Sequence, residues 1–380
     1  EQESWVQAVY DVGPRRPTFV LRRGEFEMPG AEVRAGLFRA LEDPDFPAPD
    51  TAPQGSTSGR RLRLAKQLTN WKSPAGALVA RVRVNRIWQR LFEVGIVQTP
   101  SNFGRSGVPP THPELLEWLT SSFVATGGKL KPLLKRIMTS QTYRQQSFSD
   151  DSEAANRARR ADPGNQLLWR QRLRRLEAEI VRDLCLSVAG LLSDEFGGPS
   201  VFPPMPAGVA ALSYDNNFKW TASEGDKRYR RGLYTFFKRT APHPNLTTFD
   251  CPDSNTTNVR RRSSNTPLQA LVTLNDPVYV EAAQSLARQV MGHSPGNLAA
   301  QVEHGFRLAV GRPPSGQEKQ RLEELYSQLH QRYAADKELA MQMATSFAGP
   351  AAEETDLVAL ASWTVISNVL LNLDETLSKR

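Results

Sequence analysis

The sequence predicts a mainly α-helical protein with a helical bundle-like architecture, a few short β-strands and long loops rich in proline and glycine. Three observations lead to this fold class. Residues that favour helices (Leu, Ala, Gln, Glu and Arg) are abundant, and strand-like alternation of apolar and polar residues is scarce. Several segments also begin with a capping residue followed by proline, or by Glu three positions later, as helices do. The hydrophobic content of 39% fits a soluble globular protein.

Residues 1–59 are predicted to form an N-terminal segment that contains one strand and a linker. The strand is predicted at 18–23 (TFVLRR), which ends at a glycine. Residues 43–59 (DPDFPAPDTAPQGSTSG) are predicted to be the linker, because Pro, Gly, Ser and Thr at this density do not sustain regular structure.

Two helical parts follow. Residues 60–150 are predicted to be an N-terminal part with four helices, at 60–71, 74–92, 113–123 and 130–141. Residues 151–380 are predicted to be a C-terminal part with helices at 171–192, 277–291, 297–310, 315–345 and 355–375 and a strand at 228–239. A polar, basic stretch at 149–164 places the boundary between the two parts, although 60–380 also fits a single domain.

The chain has 48 Lys and Arg against 40 Asp and Glu, a net charge of +8. Because arginines often stand beside acids on the predicted helices, solvated faces and ion pairs are favoured over a nucleic-acid interface. The two cysteines, Cys185 and Cys251, form neither a disulfide framework nor a four-cysteine metal site. The sequence has no CxxCH, so no covalent haem is expected in this chain, and no HExxH, P-loop or GxSxG motif.

The densest group of polar residues lies in the segment 249–277 (FDCPDSNTTNVRRRSSNTPLQALVTLNDP). Two helix starts are predicted in it, where Thr266 and Asp276 cap helices whose first residues are Pro267 and Pro277. We expect six side chains of this segment to lie close together with the arginines paired to acids: Asp250, Arg260, Arg261, Asn265, Gln269 and Asn275. A buried guanidinium requires such a partner.

A run of charges at 174–183 supplies candidate partners for these arginines. Its opposite charges at helical spacing favour an exposed salt-bridged face. The alternative is that Glu179 or Asp183 orients an arginine of the 260–262 run.

Other candidates have plainer structural interpretations. Asp250, Asp253 and Asn255 could offer oxygen ligands to calcium, but capping of backbone N–H groups is favoured, and no metal is predicted. His112 is a candidate general base, with a role in a helix start favoured. Trp220, among polar residues, either stacks on a sugar ring or covers a loop.

Five segments together resemble a known family: 85–119, 139–147, 167–184, 196–201 and 261–277. They are similar to the planctomycete cytochrome-associated domain of unknown function, planctomycete-specific domain one, over roughly residues 60–375. Arg90 and Leu134 stand where such domains often have histidine, and Gly128 stands where they have tryptophan. The resemblance implies an extracytoplasmic, periplasmic or secreted, location beside a c-type cytochrome-like domain of the same precursor. It supplies no catalytic residues.

Three classes of function remain open. The first is a non-catalytic module that docks or scaffolds the cytochrome-like domain, in an electron-transfer or polysaccharide-related system. The second is an enzyme or binding module for anionic, sulfated or uronic, polysaccharide, with Asp250 and Asp253 as candidate acids. The third, a nucleic-acid binder, is disfavoured. The start of the chain lacks the features of a signal peptide, and the 17-residue charge-free stretch 357–373 is predicted to be a core helix rather than a membrane span.

Overall fold

The computed structural model describes residues 17–33, 35–42, 59–147, 152–205 and 220–379. Most of these residues are helical, which confirms the mainly α fold class. The chain forms two compact units, Glu1–Gln171 and Arg172–Arg380, called unit 1 and unit 2 below. The predicted linker, apart from Gly59, lies outside the described residues.

The described residues of unit 1 form a hairpin and five α-helices. The predicted strand is β1 (Thr18–Leu21), which pairs antiparallel with β2 (Pro29–Val33), a strand that the sequence did not predict. The helices are α1 (Arg60–Thr69), α2 (Pro74–Phe92), α3 (Pro113–Ala125), α4 (Leu130–Met138) and α5 (Glu153–Ala161). α2, α3 and α4 bury one apolar core, in which Trp88 stacks on Phe92 with ring centroids 4.1 Å apart. This core holds the helices in place by apolar burial.

Polar groups fix two corners of unit 1. Ser73 caps α2 by accepting from the backbone N–H of Gly76, whose backbone packs directly against Asn70. A side chain at position 76 would collide with the Asn70 carbonyl, which is why glycine is needed there. Asn85, fully buried in α2, hydrogen-bonds both the N–H and the carbonyl of Val97. The segment that leads to α3 is thereby tied to α2.

Unit 2 is built around α9, which packs on α13. Its helices are α6 (Ala178–Val188), α7 (Pro244–Thr248), α8 (Pro267–Asn275), α9 (Pro277–His293), α10 (Leu298–Val310), α11 (Gly316–Ala335), α12 (Lys337–Thr345), α13 (Leu357–Leu371) and α14 (Asp374–Leu377). α13 is the core helix predicted at the charge-free stretch, and it carries the buried Trp363. No described helix is both long enough and apolar enough to cross a membrane.

The structure corrects the prediction of a helix over 171–192. α6 begins only at Ala178, because Arg174 and Arg175 form β3 and pair with β4 (Ser378–Lys379). The partner strand is some 200 residues away in the sequence, so local helix propensity could not reveal the pairing. The predicted helix over 315–345 is likewise divided, since Asp336 ends α11 and caps α12.

The predicted strand at 228–239 is also wrong. The chain forms 3₁₀ helices at Gly225–Tyr229 and Gly232–Tyr234, with isolated bridges at Arg230 and Thr235. Side chains of α6 hydrogen-bond backbone N–H and carbonyl groups of this segment, groups that in a strand would bond a neighbouring strand. Asp183 accepts the N–H of Gly232, and Arg182 donates to the carbonyls of residues 228 and 230.

Candidate functional site

Arg261 forms the ion pair that the sequence offered as the less favoured alternative. Its guanidinium makes two hydrogen bonds to Glu179, in the first turn of α6, at 2.6 and 3.0 Å, and lies 3.6 Å from Glu177. Burial is the largest single influence on the pKa of Glu179 and raises it, but the hydrogen bonds and positive charge of Arg261, together with hydrogen bonds from the backbone and from Cys251, bring the pKa below its ordinary value. Both side chains are half-buried, and the bidentate geometry fixes the arginine turn against α6.

Asp250 and Gln269 meet through Ser264. Oδ2 of Asp250 accepts from the Ser264 backbone N–H at 2.8 Å and from its hydroxyl at 2.7 Å, and Gln269 donates to the same oxygen at 3.4 Å. Gln269 is buried in α8 and also donates to the Thr248 carbonyl. The carboxylate therefore joins the loop before the arginines to the helix after them.

The other predicted members of the cluster lie apart from these bonds. Arg260, Asn265 and Asn275 are exposed, and the Asn275 amide bonds only the Leu271 carbonyl of its own helix. Asp253 is fully exposed and accepts from the backbone and side chain of Asn255. The expectation of one six-residue cluster is therefore wrong, since the structure brings together Asp250 with Gln269 and, separately, Arg261 with Glu179.

A second polar group, which we call the Arg182 cluster, lies deeper in unit 2. It comprises Arg182, Asp183, Asn245, Asp276 and Glu281, with Arg228 and Tyr229 bound to Glu281. Arg182 is 2% exposed and donates to the carbonyls of Arg230 and Arg228 at 2.7 and 2.6 Å. Asp276 caps α9 and accepts from Asn245. Burial raises the pKa of both Asp183 and Asp276.

Sequence reasoning missed Arg182, Arg228 and Glu281. The available signal was Glu281, a charge inside the otherwise apolar start of α9 (PVYVEAA). A buried charge requires a partner, and the partner of Glu281 is the partly exposed Arg228, whose guanidinium lies 2.9 Å from the carboxylate.

His243 is a buried histidine next to the Arg182 cluster. One ring nitrogen contacts the Pro204 carbonyl at 3.1 Å, and Nδ1 accepts the N–H of Asn245. Burial holds the pKa of His243 at about 4, below its ordinary value, despite the Pro204 bond. The ring is therefore neutral in the folded protein at pH 7, with its proton on Nε2.

We expect His243 to make unfolding easier in acid. The unfolded chain takes up the proton near pH 6.5, whereas the folded chain takes it up near pH 4, so stability is lost as the pH falls between these values. The loss is about 3 kcal/mol at pH 4 relative to pH 7. Urea unfolding across this range should show a smaller loss in His243→Gln, whose amide can donate and accept in the same way. His330→Gln, on α11, should retain the wild-type dependence, and equal curves for both variants would contradict the assignment.

The two secondary candidates are held by neighbouring groups. Trp220 donates its ring N–H to the Pro203 carbonyl at 2.8 Å and lies edge-on to Phe202. This packing favours the loop-covering interpretation over a sugar platform. His112 occupies the N-cap position of α3, where Nδ1 lies 3.0 Å from the Thr111 hydroxyl, and its side chain makes no capping hydrogen bond. Among the described residues, no group of three or more His, Cys, Asp or Glu is arranged to hold a metal ion.

α8 has its polar side chains inside and its leucines outside. Gln269 and Thr273 are 1% and 2% exposed, and Thr273 donates to the Asn372 side chain of the segment after α13. Leu268 and Leu271 are each 57% exposed, and Leu274 is 41% exposed. Ordinary surface helices have the opposite arrangement. This leucine face, defined by the three leucines, is therefore the feature of the 249–277 segment that requires a functional explanation.

The comparisons with known proteins point to one family. The family PSD1, described as protein of unknown function (DUF1553), matches residues 60–326, which include α1 to α10 and the whole 249–277 segment. Neither the curated proteins nor the solved structures contain a match. Because the match covers more than half of the chain, this protein belongs to the PSD1 family of proteins of unknown function.

Proposed function

We propose that this chain is a non-catalytic, extracytoplasmic module that docks a c-type cytochrome-like domain of the same precursor. The leucine face of α8 is the docking surface, and it is the observation that carries the proposal. Three leucines exposed on one helix are costly to leave in water and are explained by a partner that covers them. The resemblance to cytochrome-associated domains supports the choice of partner.

Hydrogen bonds on the buried side of α8 hold the helix, and with it the leucine face, in place. Thr266 caps α8, Gln269 ties it to the Thr248 carbonyl and to Asp250, and Thr273 ties it to Asn372. A helix fixed in this way loses little conformational entropy when a partner binds. In this proposal the polar residues of the segment hold the leucine face in position and take no part in catalysis.

Charge beside the leucines favours an acidic partner surface. Arg260 and Arg262 stand in the turn before α8, and both are exposed. Arg261, between them, is already paired to Glu179. Exposed charges at the edge of an apolar patch steer a partner and fix its orientation.

The alternative, an enzyme acting on anionic polysaccharide, has less support. The two candidate acids are engaged by their own neighbours, Asp250 by Ser264 and Asp253 by Asn255. Asp250 also has a positive φ of 62°, a backbone conformation that fits a turn which reaches Ser264. Release of product from a sulfated or uronic polysaccharide, abolished by Asp250→Asn in a folded chain, would replace the docking proposal.

A binding experiment tests the docking proposal. Leu268→Glu with Leu271→Glu should weaken binding of the separately produced cytochrome-like domain at least about tenfold, since each leucine contributes roughly 1 kcal/mol or more on burial. Calorimetric titration at constant salt gives the two dissociation constants. Both positions are exposed, so the variant should keep the wild-type melting temperature.

The matched control is Leu62→Glu with Leu64→Glu on α1, where both leucines are also exposed. This pair should bind the cytochrome-like domain as the wild type does. Absence of binding by the wild type, or equal weakening in both pairs, would refute the leucine face as the docking surface.

A further inference from the structure

The charge of the chain is distributed unevenly between its parts. Residues 59–147 contain 15 Lys and Arg and only three Asp and Glu, a local net charge of +12. Residues 172–380 contain 23 of each, a net charge of zero. The net positive charge of residues 59–147, which include α1 to α4, therefore exceeds the net charge of +8 of the whole chain. The value for the whole chain conceals this strongly basic region.

Arginines form a row along α2. After Ala77, the exposed residues of this helix are Arg83, Arg86 and Arg90. Their positions along the axis differ by about 4.5 and 6 Å, given a rise of about 1.5 Å per residue. Arg83 and Arg86 make no ion pair with any described carboxylate. α1 packs beside α2 and adds the exposed basic side chain of Lys66.

We infer that the arginine row of α2, with the basic helices around it, binds a linear anionic polysaccharide that carries sulfate or carboxylate groups. Guanidinium groups bind the oxygens of such groups bidentately. A row of guanidinium groups can contact several of the anionic groups that repeat along a polymer, whereas a single basic pocket would contact only one. The counterions released from the polymer add to the affinity.

The face of α2 lacks the aromatic side chains on which single-stranded nucleic acid stacks. In residues 59–147, Trp118 is the only exposed large aromatic residue, at 54%, and it lies on α3 with Arg136 5.1 Å above its ring. The exposed positions of α2 offer bases no aromatic platform on which to stack. Contact by charge alone therefore favours a polysaccharide over a single-stranded nucleic acid.

The test is titration of the full chain with dextran sulfate and with polygalacturonate at several salt concentrations. Binding should weaken as salt increases, and uncharged dextran should not bind. Arg83→Gln with Arg86→Gln should weaken binding at least about tenfold and reduce the slope of log affinity against log salt by roughly two, one for each contact removed.

Arg321→Gln with Arg332→Gln is the matched control, because it removes the same charge from exposed positions of α11 in the neutral unit 2. This variant should bind both polymers as the wild type does. Equal weakening by the two pairs would overturn the inference, as would failure of the wild type to bind either polymer at low salt. Binding of a short DNA but of neither polysaccharide would replace it with a nucleic-acid interface.

Discussion

Replacing Arg182 with alanine should destabilise the protein by about 3–5 kcal/mol, the cost of removing one member of a buried charged group. The guanidinium is the donor for the carbonyls of Arg228 and Arg230, and it offsets the buried charge of Asp183 and Asp276. Without it the two carbonyls lose their donor, and the two carboxylates lose the positive charge beside them. Urea unfolding monitored by circular dichroism measures the change.

Two further variants separate charge from packing at this position. Arg182→Met retains much of the side-chain volume but supplies no donor, so it should remain within roughly 1 kcal/mol of the alanine variant. Arg321→Ala, on the exposed face of α11, should change stability by less than about 0.5 kcal/mol. A loss below about 1 kcal/mol for Arg182→Ala would contradict the stabilising role assigned to this guanidinium.

Asn85→Ala should cost about 2–5 kcal/mol, since it leaves the N–H and the carbonyl of Val97 without partners in the core of unit 1. The effect should be local, so hydrogen exchange of the Val97 amide is the most direct measurement, with loss of protection expected. Asn102→Ala, which removes exposed hydrogen bonds to Gly104 and Ser106, should cost less than about 1 kcal/mol. Retained protection at Val97 would contradict the role assigned to Asn85.

The elements that the sequence predicted well are those with local signals. Thr266 accepts the N–H of Gln269, and Asp276 accepts the N–H of Val278, as caps before proline should. The capping box at Ser315 and Glu318 is present as well. A cap and the first turn of its helix are contiguous in the chain, so their chemistry can be identified from a few residues.

The errors arose where distant segments decide the local structure. Arg174 and Arg175 belong to a charge-rich, helix-favouring run, yet they pair with the end of the chain. Arg182 belongs to the same run, and its spacing suggested a solvated face although the structure buries it. Whether a side chain is buried depends on which other segments pack against it. The spacing of charges along one helix does not reveal those segments.

The candidate site was predictable only in part. The sequence named Glu179 as one of two partners for an arginine of the 260–262 run, and the structure pairs it with Arg261. Arg260 and Asn265 were grouped with the cluster because they are neighbours in sequence, but a turn points neighbouring side chains in different directions. The basic helices of unit 1 were overlooked because charge was summed over the whole chain.

The carboxylate that holds Arg261 also lies beside the half-buried thiol of Cys251. The thiol lies 3.9 Å from Glu179, and burial, with the nearby negative charge of Glu179, raises its pKa to about 11. At neutral pH roughly one molecule in ten thousand would carry the thiolate, the form that attacks disulfides and oxidants. Oxidation of this cysteine, which proceeds through the thiolate, should therefore be slow. Both cysteines, Cys185 in the core and the half-buried Cys251, are free thiols, and the low thiolate content of Cys251 gives it little tendency to form mixed disulfides.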